Sequence, residues 1–192
     1  MNWKLFFNPF SKFSEKALLI SGILFLVVGS FIGYYFGVTY DGIFDVHIST
    51  VTLIESLTEN VINVVILSLL LFIAGIIINS KTRIIDVLNV ALISRFPIYL
   101  AGLFANNQRI SEISEQLIDN VHQETPASVS SSDMMILMLF SAVLILLLAY
   151  QLMLMVFGFK TAVNARKWQH WLLFAFALIA AEVISKAIIH FI

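Results

Sequence analysis

Five apolar segments divide this chain, and each is long enough to cross a bilayer as a helix, which takes about 20 residues. They lie at residues 17–37, 61–78, 86–105, 134–159 and 171–192. Of the 192 residues, 60% are hydrophobic and only 12% are charged, whereas a soluble domain is about half apolar and about a quarter charged. We therefore predict an all-α integral membrane protein, a bundle of five transmembrane helices in a single membrane domain over residues 1–192.

Residues 1–16 combine aromatic side chains with lysines and precede the first apolar segment. The aromatic residues are Trp3, Phe6, Phe7, Phe10 and Phe13. Rings beside cations are typical of a segment at the membrane interface, so we interpret residues 1–16 as an interfacial anchor. A frayed terminus is the alternative, and the density of aromatic residues favours the anchor. Pro9 can open a short helix at this point.

The two longest connections between the apolar segments are polar. Residues 38–60 contain four acidic residues and no lysine or arginine, which predicts a polar external loop with one amphipathic turn before the second helix. Within residues 106–133, the stretch 109–121 places apolar side chains opposite acidic ones, which indicates an amphipathic helix on the membrane or on the bundle. Its apolar face consists of Ile110, Ile113, Leu117 and Val121.

The distribution of lysine and arginine predicts the orientation. With the N-terminus in the cytoplasm, eight of these residues fall on the cytoplasmic side and only Arg109 falls outside, while Arg95 and Lys186 lie within apolar segments. Cytoplasmic loops of membrane proteins carry an excess of positive charge. We therefore expect a cytoplasmic N-terminus, an external C-terminus and an external amphipathic segment at residues 109–121.

Glycines line one face of the first apolar segment. Gly29, Gly33 and Gly37 are four residues apart, and Gly22 precedes Gly29 by seven. This spacing predicts a helix-packing ridge, where a partner helix can approach closely. The partner is expected within the same chain, although a second copy would fit the same pattern.

The third apolar segment carries a cation at its centre. Arg95 lies about 15 Å into this segment by helical rise, and Glu182 lies at a comparable depth in the fifth. A charge in the hydrocarbon region needs a partner inside the protein, so we predict an intramembrane ion pair between Arg95 and Glu182. A role in helix packing is favoured over a role in a substrate or proton path. Pro97 removes one backbone hydrogen bond and predicts a kink.

A polar stripe runs along the last apolar segment. Glu182, Lys186 and His190 follow one another at four-residue intervals, so they share one helical face. Such a face contacts other helices or a water-filled cavity. Lys186 and His190 are expected near the outer surface, where a long side chain can extend into water.

Catalytic, cofactor-binding and metal sites are not indicated. The chain has no cysteine and four scattered histidines, and it contains no HExxH, GxSxG or P-loop pattern. The methionines of the fourth segment are interpreted as apolar filler, because soft-metal sites would need further ligands. The net charge of −1 gives no basis for a nucleic-acid partner. We expect no enzymatic activity.

Two stretches suggest a family. NWKLFFNPFSKF at residues 2–13 and VFGFKTAVNARKW at residues 156–168, together with the five apolar segments, resemble bacterial members of the Yip-type family, the Ypt/Rab-interacting-protein (YIP-one) membrane proteins. The resemblance implies a five-span protein without catalytic residues, and some bacterial members look like accessory subunits of ABC-type exporters. Eukaryotic members bind prenylated Rab GTPases and carry an Asp-Leu-Tyr-Gly-Pro motif in a longer N-terminal region. This chain lacks that motif, so Rab binding does not carry over.

The expected function is that of an accessory or scaffold subunit of an envelope, export or trafficking system in a bacterial inner membrane. Its partners would be the lipid bilayer and other membrane proteins, with ABC-type exporter subunits or a second copy of the chain as candidates. The external segment at residues 109–121 and the glycine ridge are the expected contact surfaces. The alternative is a small oligomeric transporter or channel with a polar path through Arg95, Glu182 and Lys186. A dry Arg95–Glu182 pair favours the scaffold, and a continuous wet path favours transport.

Overall fold

The structure, a computed structural model, describes residues 6–105, 107–110, 112–113, 115–116 and 130–191, the side chain of residue 105 excepted. The predictions for Trp3, for Leu117 and Val121 of the amphipathic segment, and for residue 192 lie outside the described residues. Within them, a 3₁₀ turn at Pro9–Ser11 precedes the helices.

Six helices and one two-stranded hairpin make up the described fold. They are α1 (Glu15–Phe36), β1 (Val38–Thr39), β2 (His47–Ile48), α2 (Leu53–Ile78), α3 (Ile84–Ser94), α4 (Phe96–Ala105), α5 (Ser131–Val163) and α6 (Trp168–His190). Counting α3 and α4 as one span, five helical segments are long and apolar enough to cross a membrane. The prediction of an all-helical chain with five helices of membrane length is therefore confirmed.

Side-chain caps set where the helices begin. The Ser14 hydroxyl accepts a hydrogen bond from the amide of Ala17 at the start of α1. Thr52 and Glu55 form a reciprocal capping box at the start of α2, which satisfies two amides that would otherwise lack partners. Helix α2 therefore begins at Leu53. The predicted amphipathic turn before the second span is the start of this helix itself, and Glu55 and Glu59 lie in its first turns.

The third span is interrupted at Arg95. Helix α3 ends at Ser94 and α4 begins at Phe96, so the break falls just before Pro97. The Arg95 carbonyl accepts hydrogen bonds from the amides of Ile98 at 3.1 Å and Tyr99 at 3.4 Å. Proline has no amide hydrogen and clashes with the preceding turn, which accounts for the break at this position.

Helix α1 lies against α2, α3 and α4, while α6 packs on α2 and α5 packs on α3 and α4. The glycine ridge mediates the contacts of α1 within the chain. An added Cβ at Gly22 would collide with Leu92 of α3, and one at Gly29 with the ring of Tyr99 of α4. At Gly33 it would collide with Ser56 of α2. Gly22, Gly29 and Gly33 are buried by these contacts, so the ridge packs within the chain as expected, and these three glycines present no open surface to another protein.

The connection between α1 and α2 enters the bundle. Gly37 ends α1 with a left-handed φ of 61°, a conformation that glycine adopts at little cost. Strands β1 and β2 then pair antiparallel, with Val38 opposite Ile48. The residues between them, 40–46, form what we call the re-entrant loop, since Tyr40 and Ile43 are fully buried. The polar external loop predicted here thus contributes Tyr40 and Ile43 to the core, while Asp45 stays partly exposed.

We predict that Gly29→Ala lowers the free energy of unfolding in detergent by about 1–3 kcal/mol, because the new methyl group must displace the Tyr99 ring. Thermal unfolding of the purified protein measures this. Val28→Ala, on the exposed face of the same turn, is the matched control and should change stability by less than about 0.5 kcal/mol. Equal stability of the two variants would contradict the intramolecular packing of the ridge.

Candidate functional site

Two peptide groups of the re-entrant loop lie between Arg95 and Glu182. The Arg95 Nη1 donates to the carbonyl oxygens of Gly42 at 3.2 Å and Ile43 at 3.3 Å. The Glu182 Oε2 accepts from the amides of Ile43 at 2.6 Å and Phe44 at 3.0 Å. The Gly42 carbonyl and the Ile43 amide belong to one peptide group, and the Ile43 carbonyl and the Phe44 amide belong to the next. Two peptide dipoles therefore connect the cation to the anion, an arrangement we call the loop latch.

The predicted direct ion pair is thus wrong, although both residues contribute to one interaction. Among the described residues, no salt bridge joins Arg95 to Glu182 or to another acidic group. By helical rise, Arg95 lies about 16 Å from the start of α3 and Glu182 about 21 Å from the start of α6. Both side chains act on the same stretch of backbone, but the prediction placed no loop between them.

Arg95 is fully buried and directs its remaining donors at neutral oxygen atoms. Its Nη2 donates to the Asn60 Oδ1 and its Nε to the Tyr99 hydroxyl, both at 3.3 Å. The guanidinium carbon also lies 5.6 Å from the centre of the Tyr99 ring, within range of a cation–π interaction. Burial of a charge is costly unless the charge is hydrogen-bonded, and here every nitrogen of the guanidinium has an oxygen partner.

Side chains from two further helices complete the latch. Asn63 of α2 donates through Nδ2 to the Tyr40 carbonyl at 2.5 Å, and Gln151 of α5 donates through Nε2 to the Ile43 carbonyl at 2.8 Å. Glu59 of α2 accepts from the Tyr40 amide at 3.3 Å. Non-helical backbone inside a membrane protein is tolerated where its polar groups are satisfied by the protein. Polar amides at 63 and 151, inside apolar segments, were the signal in the sequence that could have indicated this loop.

Gly42 lets the carboxylate of Glu182 lie directly against the loop backbone. An added Cβ at this position would lie 2.5 Å from Oε1 and 2.8 Å from Oε2 of Glu182. Real Cβ contacts are longer than 3.0 Å, so any larger side chain at this position would force the Glu182 carboxylate to shift. Glycine therefore allows the close approach of the anion to the loop backbone.

The polar stripe of α6 continues the latch toward the C-terminal end of that helix. Lys186 contacts Asp45 of the loop at 2.6 Å and Glu182 at 3.3 Å. The hydrogen bond from Lys186 holds the pKa of Asp45 below its ordinary value of 3.8. Lys186 and Asp45 are each about two-fifths exposed. His190, the last member of the predicted stripe, instead lies edge-on to Phe191 at 5.7 Å.

Three loop side chains lie close enough to one another to raise the question of a metal ion. Asp41, Asp45 and His47 each offer an atom within 4.8 Å of the others. His47 Nδ1 lies 3.5 Å from Asp41 Oδ1, and Asp45 is engaged by Lys186. A metal ion would have to displace these contacts. The contacts themselves explain why the three side chains lie close together.

The leader packs across the end of α5. Phe6 stacks on Tyr150 with ring centres 4.5 Å apart, and the Tyr150 hydroxyl donates to the Phe6 carbonyl at 3.0 Å. Phe10 packs against the core next to Gly158, and Phe7 lies edge-on to Phe6. Phe6 and Phe13 remain about half exposed. The rings predicted to be an anchor thus have both a protein-facing and an outward-facing surface.

The described part of the segment 109–121 is docked on the bundle. Arg109 pairs with Asp133 of α5 at 2.5 Å and with Glu112 at 3.7 Å. Ile113 is fully buried, as its place on the predicted apolar face requires.

Comparison of the chain with protein-family models, with curated proteins and with solved structures finds no match. What the site does must therefore be argued from its geometry.

We predict that Arg95→Met and Glu182→Gln each lower the free energy of unfolding in detergent by about 1–3 kcal/mol. Arg95→Met leaves the Gly42 carbonyl without its donor, and Glu182→Gln replaces the charged acceptor of the two loop amides by a weaker, neutral one. Once one substitution has released the loop, the second substitution has fewer stabilising loop contacts left to remove. The double variant should therefore fall short of the sum of the single effects by about 0.5–3 kcal/mol. Chemical unfolding of the four proteins measures this coupling.

The control for this cycle combines Glu182→Gln with Arg83→Gln. Arg83 pairs with Glu15 at the opposite end of the bundle, so the two effects should add within about 0.5 kcal/mol. Additivity in the Arg95–Glu182 cycle as well would show that the loop latch does not couple these residues.

Proposed function

We propose that this protein is a non-enzymatic accessory or scaffold subunit of an envelope, export or trafficking complex. The observation that carries the proposal is the full burial of Arg95. Its Nη1 holds the re-entrant loop, and its other two nitrogens donate to side chains of α2 and α4. A group committed in this way stabilises one arrangement of the bundle and offers nothing to a substrate. A rigid membrane body that presents fixed surfaces is what a scaffold requires.

We further propose membership of the Yip-type family, a bacterial inner-membrane location, a cytoplasmic N-terminus and an external C-terminus. The excess of lysine and arginine in the leader and in the turns after α2 and α5 supports this orientation. In this orientation the segment from Arg109 and the start of α5 face outward.

The outward-facing end of α5 is the surface best suited to contact another membrane protein. This helix has 33 residues, more than the roughly 20 that a bilayer requires. From Met134 to Ala149 its side chains are mostly exposed, whereas buried residues recur from Gln151 onward. Methionines on such a surface adapt to different partner shapes. Glu115, an exposed carboxylate, lies six residues after Arg109, which pairs with Asp133 in the first turn of α5.

A second candidate function is transport by a small oligomer. It is favoured by the partial exposure of Lys186, Asp45 and Glu182. It is also favoured by the scarcity of contacts between α5 and α6, two helices that a four-residue turn joins. Charged groups in a gap between helices could form one half of a polar path. Solute or ion flux into liposomes that depends on Lys186 would favour this function over the scaffold.

We predict that a tagged copy purified gently from its native membrane retains other membrane proteins, such as ATPase and permease subunits, at a fixed ratio. Glu115→Lys should lower their recovery by about tenfold, the effect of about 1.4 kcal/mol at an interface. Lys160→Glu, an exposed charge reversal at the opposite end of α5, should leave recovery unchanged. Quantitative mass spectrometry measures the ratios.

Recovery of the chain alone, as a homo-oligomer, would contradict the scaffold proposal. Partners that are retained equally by Glu115→Lys and Lys160→Glu would contradict the proposed surface.

A further inference from the structure

Two cavities adjoin each other at the end of the bundle that carries the leader. The larger, of about 470 Å³, lies between α1 and α5 over the break in the third span, and its apolar walls include Ala17, Phe25, Phe96 and Leu154. Phe6 and Phe13 of the leader close one end. The volume lies within the range of about 300–1,000 Å³ that is usual for ligand sites.

The gap exists because α1 and α5 have few direct contacts with each other, while both pack on α3 and α4. The outward faces of both helices are apolar and exposed at residues such as Ile20, Leu24 and Leu146. In a bilayer, a groove between two such faces opens onto lipid chains. Its apolar lining therefore matches an acyl chain better than any polar solute.

The smaller cavity, of about 250 Å³, has a mixed lining and shares Phe13 and Leu18 with the larger one. We call it the polar cavity because, unlike the larger one, it is lined by two carboxylates and an amide. Its polar walls come from Glu15, Asp86, Asn89 and Thr161. It lies where α1 and α3 begin, which is the level of lipid headgroups if these helices span a bilayer. One apolar and one polar cavity side by side match the two parts of a phospholipid.

The polar cavity favours a cationic hydrogen-bond donor. Two carboxylates, those of Glu15 and Asp86, line it and have only Arg83 as a shared cationic partner among the described residues. Asn89 is only 2% exposed, and its Nδ2 donates to the Glu15 carbonyl at 3.2 Å. The Asn89 Oδ1 has no hydrogen-bond partner among the described residues. A buried acceptor without a donor is costly, and a primary ammonium group supplies three donors together with a positive charge.

A headgroup with a primary amine also carries a phosphate, and two exposed lysines of the leader region can attract it. Lys12 and Lys16 flank Phe13 in the chain and are exposed. Basic residues at this level attract lipid phosphate. The cavity thus offers anions for an amine, and the chain next to it carries cations that can meet a phosphate.

We infer that these two cavities bind a phospholipid with a primary-amine headgroup, of the phosphatidylethanolamine class. The acyl chain occupies the groove between α1 and α5, and the ammonium group lies among Glu15, Asp86 and Asn89. A choline headgroup has no N–H to donate to Asn89, and a glycerol headgroup has no cation for the two carboxylates. The inference concerns lipid selectivity and does not depend on the proposed scaffold role.

The test uses the full chain, stripped of lipid in detergent and mixed with phosphatidylethanolamine, phosphatidylcholine or phosphatidylglycerol of identical acyl chains. Native mass spectrometry gives the apparent Kd for each. We expect phosphatidylethanolamine to bind about tenfold more tightly than the other two, the effect of one hydrogen bond to a charged group. Asn89→Leu should remove most of this preference. Asp86→Asn, a conservative change at a partly exposed side chain, should reduce it and keeps the test valid if Asn89→Leu does not fold.

The apolar half of the site is tested by filling it. Ala17→Trp should weaken binding of all three lipids by about tenfold or more, because the indole occupies the space of the acyl chain. Ala142→Trp, the same change on the exposed outer half of α5, is the matched control and should have no effect. Equal binding of the three headgroups, a preference unchanged in Asp86→Asn, or equal effects of the two tryptophan variants would each overturn the inference.

Discussion

The bundle depends on how two loop peptide groups are satisfied in an apolar interior. A backbone N–H or C=O without a partner costs several kcal/mol in such surroundings. The re-entrant loop meets this constraint with a cation on its carbonyl side, Arg95, and an anion on its amide side, Glu182. The same contacts satisfy the two charges, which could not be buried alone. Loop and charges therefore stabilise one another, and neither would be stable in this position without the other.

This mutual dependence fixes the helices as well. The residues that contact the loop come from α2, from the break between α3 and α4, from α5 and from α6, so a single short segment connects four parts of the bundle. Helix α1 is held differently, by close packing at Gly22 and Gly29. Polar contacts at the centre and glycine packing at one side together explain how α5 and α6 can diverge without loss of the fold.

The apolar segments were predictable because length and hydrophobicity decide whether a helix can cross a bilayer. The break near Pro97 and the burial of Arg95 followed from covalent geometry and from the cost of a buried charge. The loop between Gly37 and Thr52 was not predictable in the same way. Its acidic residues Asp41 and Asp45 suggested exposure, and only Ile43, Asn63 and Gln151 gave a weak opposite signal. Burial of the loop depends on contacts more than a hundred residues apart, such as Gln151 with Ile43, and no local pattern encodes them.

The most direct test of the account is whether Ile43 is inaccessible in the membrane. The chain has no cysteine, so single cysteines can be introduced without removing others. Ile43→Cys, at a fully buried site, is compared with Ile48→Cys, whose site in the same connection is 53% exposed. With a membrane-impermeant maleimide on intact membranes, the account predicts labelling at position 48 and none at position 43 until the protein is unfolded. Equal and rapid labelling of both would contradict a loop held inside the bundle.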